Sequence, residues 1–347
     1  MPAVSHEPAP PDETIGVSAG VMQAPALHSL IRFQRTYPLL QFAGCVLLFA
    51  IGVATVDSYG SGQSVRAMLV LASFLGIAAA GCTTVVLIGG LDLSIPGLIA
   101  VGNVMIAQLV GADHWSFVPA LALIFVVAGI LGALNGWISS AFRVNPLIVT
   151  IGMGSIALGG ILVWTSGTIT GSAPGWLIHF ASTAGTTFGT GVPPMLILWV
   201  AIALVITFGL NRTIAGRRLY LTGANAPAAD LSLVNTRRVW IAAFALSAIF
   251  AAFAGVLLAG FSGSGDSSIG SQYLFLALAA ILVGGTSILG ARGGYLHTVA
   301  GALMLTELTT ILVGYGYDTA TQQIVYGVVI FLVVAGYGRS RRINDRI

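Results

Sequence analysis

Residues 66–89 read RAMLVLASFLGIAAAGCTTVVLIG, and after Arg66 no charged residue occurs for 23 positions. A helix rising 1.5 Å per residue needs about 20 mostly apolar residues to cross the roughly 30 Å hydrocarbon core of a bilayer, so this stretch is long enough to span one. The rest of the chain repeats the pattern. Apolar residues make up 56% of the 347 and charged residues only 7%, against roughly 25% charged in soluble domains. Too few polar residues remain to cover a water-facing exterior, and a soluble core protein is excluded.

Runs between charges and turn residues give ten spans, at 38–57, 66–89, 93–111, 117–142, 145–165, 193–210, 239–261, 273–289, 294–314 and 320–338. With the N-terminus inside, 13 of the 14 arginines fall in inside segments and Arg66 alone falls outside, as the positive-inside rule requires. The expected architecture is an all-α polytopic membrane protein with about ten transmembrane helices and both termini cytoplasmic. Residues 1–36, with Pro2, Pro8, Pro10, Pro11 and Pro25, read as a disordered tail; residues 37–338 form the membrane domain, and 339–347 a basic cytoplasmic tail. The first 28 residues hold no basic n-region, so the first apolar run is expected to stay as a span and not as a cleaved signal peptide.

All basic residues are arginine; the chain contains no lysine. A phosphate-binding G-x-x-x-x-G-K-[ST] loop, a Schiff-base enzyme and a Ser-Lys hydrolase each need one, so the chain does not drive itself with its own ATP site of that kind. The five histidines are scattered without ligand spacing, which leaves no metal or catalytic set. Cys45 and Cys82 read as packing residues. Asp57, Asp113, Asp266 and Asp318 each mark a short outer turn; they are solvated turn acids or an acidic rim for a partner. The outer segment 166–192 carries Trp176, which suits a membrane-interface anchor. The spacing Gly132-x-x-x-Gly136 and Gly255-x-x-x-Ala259 puts small residues on one helix face, where helices pack closely.

The longest inside loop, Asn211–Arg238, reads NRTIAGRRLYLTGANAPAADLSLVNTRR. Pro227 followed by Ala228, Ala229, Asp230 and Leu231 fits the start of a short helix with Asn225 or Ala226 near its cap. Such a helix reads as a docking element for a cytoplasmic partner, or as a charged loop that only fixes topology.

Four blocks of the sequence resemble the ribose-type sugar ABC importer permeases. The first is Gly216-Arg217-Arg218-Leu219-Tyr220-x-Thr222-Gly223-x-Asn225 followed by Ala228-Ala229-x-x-Ser232, similar to that family's coupling-helix loop. The others are Gly89-Gly90-Leu91-Asp92-Leu93-Ser94; Asn135-Gly136 with Pro146-x-Ile148-Val149-Thr150-x-Gly152-Met153; and Tyr273 through Gly284-Gly285-Thr286-Ser287-Ile288-x-Gly290-x-Arg292-Gly293. They occur in the family's order over about residues 40–338. Pro96 and Ala291 stand where the family often has glycine, and Asp230 where it often has arginine.

The resemblance implies a type II ABC-importer-like permease of a bacterial inner membrane, for a monosaccharide of the ribose, xylose, arabinose or galactose class. Autoinducer-type sugars or branched-chain amino acids are the nearer alternatives. It implies a second permease chain, cytoplasmic ATPase subunits that carry ATP and Mg, and an extracytoplasmic sugar-binding protein; this chain itself would hold no cofactor and bind no nucleic acid. Asp92 is expected to cap the following helix, with Ser94 beside it. The glycine pairs at 89–90 and 284–285, with Asn135, Pro146, Thr150, Thr286 and Arg292, make up the family-motif or gate region. Glu307 is the acid inside a span, where a charge costs about 2.5–3.5 kcal/mol on insertion scales. It is read as lining the path with Asn103, as the coupling acid of an ion-driven carrier, or as a satisfied interhelical group.

Overall fold

The computed structural model describes residues 38–344; the expected tail at 1–36 and the end of the basic tail lie outside the described residues. Within them run α1 (Leu39–Thr55), α2 (Gly62–Leu87), α3 (Ile95–Ile106) continued by a π-helical turn (Ala107–Ala112), α4 (Phe117–Phe142), α5 (Pro146–Trp164) and α6 (Gly175–Ala181). After these come α7 (Pro194–Arg212), α8 (Ile214–Ala224), α9 (Ala226–Leu231), α10 (Thr236–Ser262), α11 (Tyr273–Val283), α12 (Tyr295–Gly314) and α13 (Thr319–Asn344). The β-type pairings among the described residues are isolated bridges, Ser172 with Ser264 and Thr187 with Thr190.

Among the described residues seven helical segments are long and apolar enough to cross a membrane; α1 and α11 are shorter apolar helices, and α13 is apolar over Thr319–Val333. All ten sequence runs are therefore helical, but the run 273–289 is not one continuous span. Its helix stops at Val283, and 11 residues at 1.5 Å each reach about 17 Å, short of the bilayer core. The stop is glycine chemistry that hydropathy does not register. Gly285, Gly290 and Gly293 hold φ of 101°, 84° and 105°, a region that costs L-residues steric strain.

Composition sorts the helices into layers. The helices α2 and α10 are rich in Ala, Gly, Ser and Thr and, with α3, form the interior; α4, α5 and α7 turn Ile, Leu and Val outward. Small residues let the inner backbones touch. A Cβ on Gly102 of α3 would overlap the Ala252 carbonyl of α10, and one on Gly255 of α10 would overlap the Ile99 carbonyl of α3, so two glycines make one crossing. Gly132 and Gly136 of α4 lie in the same way against the α10 backbone near Phe244 and Trp240.

Buried polar ties fix the register between helices. Trp199 Nε1 of α7 donates to the Tyr295 hydroxyl of α12 at 3.0 Å, and that hydroxyl donates to the Gly76 carbonyl of α2 at 2.8 Å. The Thr83 and Thr298 hydroxyls meet at 2.8 Å between α2 and α12. At the end opposite the exposed arginines of α8 and the start of α10, Trp176 of α6 packs edge-on to Phe117 at 4.6 Å, and Leu177 is buried against Gly260.

Candidate functional site

The loop after α7 is more ordered than its sequence suggests. Thr213 Oγ1 donates to the Gly209 carbonyl at 2.5 Å and accepts the Gly216 amide at 3.2 Å, so α7 ends and α8 begins on one residue. The helix α8 was not legible in advance. Its arginines hid a buried stripe of Gly216, Leu219 and Thr222, three residues apart, while Arg217 and Arg218 point to solvent. The Tyr220 hydroxyl donates to the Gly293 carbonyl at 2.8 Å, and burial raises its pKa, which keeps it a donor.

Asn225 then caps α9, its Oδ1 accepting the Ala228 amide at 3.1 Å. Ala229 is buried and Ala228 exposed, and the Ser232 hydroxyl returns to the Ala228 carbonyl at 3.0 Å. The Asp230 carboxylate, itself exposed, accepts the Thr236 hydroxyl at 2.8 Å and ties α9 to the start of α10. Beside it, two large apolar side chains point outward: Leu231 is 88% and Leu233 95% exposed.

The two glycine pairs end their helices in the same way. Gly90 N donates to Val85 O and Gly89 N to Val86 O, both at 2.9 Å, with Gly89 left-handed. Thr286 N donates to Ile281 O at 3.1 Å and Gly285 N to Leu282 O at 3.0 Å, with Gly285 left-handed. Both are Schellman ends, which satisfy two of the carbonyls that a helix leaves unpaired. In α2 the next free carbonyl, that of Leu87, accepts the Ala291 amide at 2.8 Å, so one break closes the other.

Gly223 of α8 lies directly on this joint. A Cβ there would overlap the Leu87 carbonyl, and one on Gly290 would crowd Gly89 N, Leu87 O and the Gly223 carbonyl at 3.0 to 3.1 Å. Three motifs separated by more than 60 residues each therefore meet at one point. Thr286 is buried beside them, with its Oγ1 accepting the Gly294 amide at 3.3 Å, and Gly284 packs on the His297 backbone. Arg292 is exposed and its carbonyl accepts the Ser287 amide at 3.0 Å.

A second group of motif residues lies in the interior. Asp92, Ser94, Asn135 and Thr150 are all wholly buried. Asp92 Oδ1 accepts the Ser94 amide at 2.9 Å and the Ser94 hydroxyl at 2.5 Å. This closes a turn just before α3 and does not reach the first free amides inside the helix, where an N-cap acts. Asn135 Nδ2 of α4 donates to the Ser94 hydroxyl at 3.2 Å, and Leu93 N donates to Thr150 Oγ1 of α5 at 3.1 Å. Pro146 starts α5, and its carbonyl accepts the Thr150 hydroxyl at 2.9 Å. The break after α2 is thereby held to α4 and α5.

Asn103 and Glu307 have different surroundings. Asn103 Oδ1 accepts the Asp266 amide at 2.7 Å and its Nδ2 donates to the Gly255 carbonyl at 3.2 Å, so both ends of the amide bind protein. Glu307 lies half-buried on α12; the Tyr59 hydroxyl donates to its backbone carbonyl at 3.1 Å, and its Oε2 has no hydrogen-bond partner. Asp318 accepts the Thr321 amide at 2.9 Å at the start of α13, and this bonding holds its carboxyl below the ordinary aspartate range.

The described residues define an all-α, polytopic membrane fold. The family model described as "Branched-chain amino acid transport system / permease component" matches residues 64–334, and the chain belongs to that family. It is 29% identical over 294 residues to the ribose import permease of Haemophilus influenzae, covering 84% of this chain and 90% of that one. It is 30% identical over 298 residues to the ribose import permease of Bacillus subtilis, with 84% and 90% covered. The autoinducer 2 import system permease of an Enterobacter species is 28% identical over 309 residues, with 89% and 88% covered. No solved structure matches the chain. Family and helices make it a multi-pass transport protein of a bacterial inner membrane.

Proposed function

We propose that this chain is the membrane-spanning subunit of an ATP-driven importer for a monosaccharide, ribose being the first sugar to test. The sugar reading is supported by relatives named as ribose and autoinducer 2 import permeases that align over most of both chains. The observation that carries the mechanism is the placement of Gly223 on the Leu87–Ala291 joint. The loop with the exposed Leu231 and Leu233 is thereby built into the ends of α2 and the turn before α12.

A cytoplasmic ATPase, with ATP and Mg on its own residues, docks on α9. A force on α9 passes through α8 to the joint, and rigid-body movement of the helices it joins switches the path between inward and outward access. On this reading the arginine-rich end is cytoplasmic, with both termini inside. An extracytoplasmic binding protein delivers the sugar at the other end. A second permease chain packs on α5, whose exposed Gly152, Gly159 and Gly160 meet nothing in this chain.

Reconstitution tests the reading. The chain is placed in proteoliposomes with the ATPase and binding protein encoded beside it, and uptake of labelled ribose and related sugars is followed. Uptake that needs all three proteins and ATP is the expected result. Uptake by the chain alone, driven by an ion gradient, would overturn it.

A further inference from the structure

Asp92 is the one fully buried carboxylate among the described residues, and half of it is unpaired. Its Oδ1 takes two hydrogen bonds from Ser94, whereas Oδ2 takes none. Asn135 Oδ1 of α4 is also without a partner, although the other end of Asn135 is bonded to Ser94, and the Ser247 hydroxyl of α10 lies beside the carboxyl without a hydrogen bond of good geometry. Cys82 of α2 is the titratable side chain facing Asp92; α4, α5 and α10 present Asn135, Thr150 and Ser247. Among the described residues no positive charge faces the carboxyl, and the arginines of α8, α10 and the 284–294 turn are exposed.

An ionised Asp92 would therefore be a buried anion with no counter-charge and with Oδ2 unpaired. The unpaired oxygens have essentially no accessible surface, so neither a water molecule nor a metal ion fits between them as they stand. A proton needs no volume. It also turns Oδ2 from an acceptor into a donor.

We propose that Asp92 is a proton-binding site, a neutral carboxylic acid whose Oδ2–H donates to the unpaired oxygens of α4 or α10. Folding takes this proton from water, and no other group changes charge. The acid then links the break after α2 to α4 and α10 as a hydrogen-bonded node, a few residues from the Leu87 carbonyl on which the loop joint closes. This inference does not depend on which solute the chain carries.

Infrared spectroscopy of the full chain in lipid nanodiscs reads the proton directly. Spectra are taken well above the ordinary aspartate range, with unlabelled protein and with protein carbon-13 labelled at the aspartate side-chain carboxyl. The expected result is a carboxylic-acid C=O band that moves to lower frequency on labelling and is lost in Asp92→Asn. Labelling separates it from Glu307, whose band stays in place, and needs no variant to fold. Aspartate bands of the ionised form only, with no acid band that moves on labelling, would overturn the proposal.

Discussion

The Ala291 amide donates to the Leu87 carbonyl at 2.8 Å across 204 positions of sequence, and Gly223 leaves no room for a side chain above that bond. Helix α2 would otherwise end with this carbonyl unpaired in the interior, at a cost of about 1–3 kcal/mol. The same bond brings the turn between α11 and α12 under α8. Disturbing Gly223 therefore disturbs both helix ends at once.

Gly223→Leu is expected to lose ATP-dependent uptake while the chain still inserts in the membrane. Overpacking typically costs about 1–3 kcal/mol, and here the strain is local to a joint at one end of the molecule. Membrane yield, co-purification with the ATPase and uptake are measured together. Wild-type association and uptake in this variant would remove the joint from the coupling route.

Ala291 is left-handed, with φ of 58°, while its amide holds Leu87. The left-handed region costs an L-residue about 1–2 kcal/mol, and glycine offsets part of that with roughly 0.5–1 kcal/mol of added chain entropy in the unfolded state. Ala291→Gly is expected to raise thermal stability slightly, by up to about 1 kcal/mol, with uptake retained. Ala291→Val, β-branched at the same φ, is expected to lower it. A stability scan of the three purified proteins, in which valine equals alanine, would contradict the strain argument.

Much of this architecture was legible in the sequence, and the parts that were not have physical reasons. Hydropathy located each of the ten apolar helices because lipid-facing and interior surfaces are both apolar. For the same cause it could not separate interior α2 from outer α5; the Ala and Gly content of α2 was the available signal. It ran α11 on through Leu289, since the Gly284-Gly285 end depends on φ rather than polarity. Gly223, Asn225 and the 89–94 block were marked as separate motifs. That Gly223 and Gly290 share the Leu87 carbonyl is a tertiary fact with no local trace. Asp92 was expected as a helix cap at the end of a span, and it is instead fully buried, in a turn whose Leu93 and Ser94 are tied to α5 and α4.

Leu231 and Leu233 leave the chain almost fully exposed at 88% and 95%, so replacing them with serine is expected to change folding stability by less than about 0.5 kcal/mol. Docked in a partner, each would be a central apolar anchor, where truncation costs about 2 kcal/mol or more, roughly a thirtyfold weaker complex. Titrating ATPase against the wild type and the double serine variant measures this. Equal affinity would place the contact elsewhere on the loop.

Glu307 tests the ion-coupled alternative. The Tyr59 hydroxyl holds its backbone carbonyl, and the side chain is half-buried on α12 with Oε2 unpaired. Glu307→Gln keeps the shape and one carbonyl acceptor while removing the capacity to release a proton. If ATP supplies the energy, uptake in this variant stays within about twofold of wild type, because a change under roughly 0.4 kcal/mol is all that losing an uninvolved acid should produce. A carrier that depends on Glu307 for ion coupling would instead lose accumulation against a gradient while still exchanging sugar across the membrane. Counterflow and net uptake measured on the same proteoliposomes distinguish the two, and loss of net uptake alone would move the energy source from the α8–α9 loop to α12.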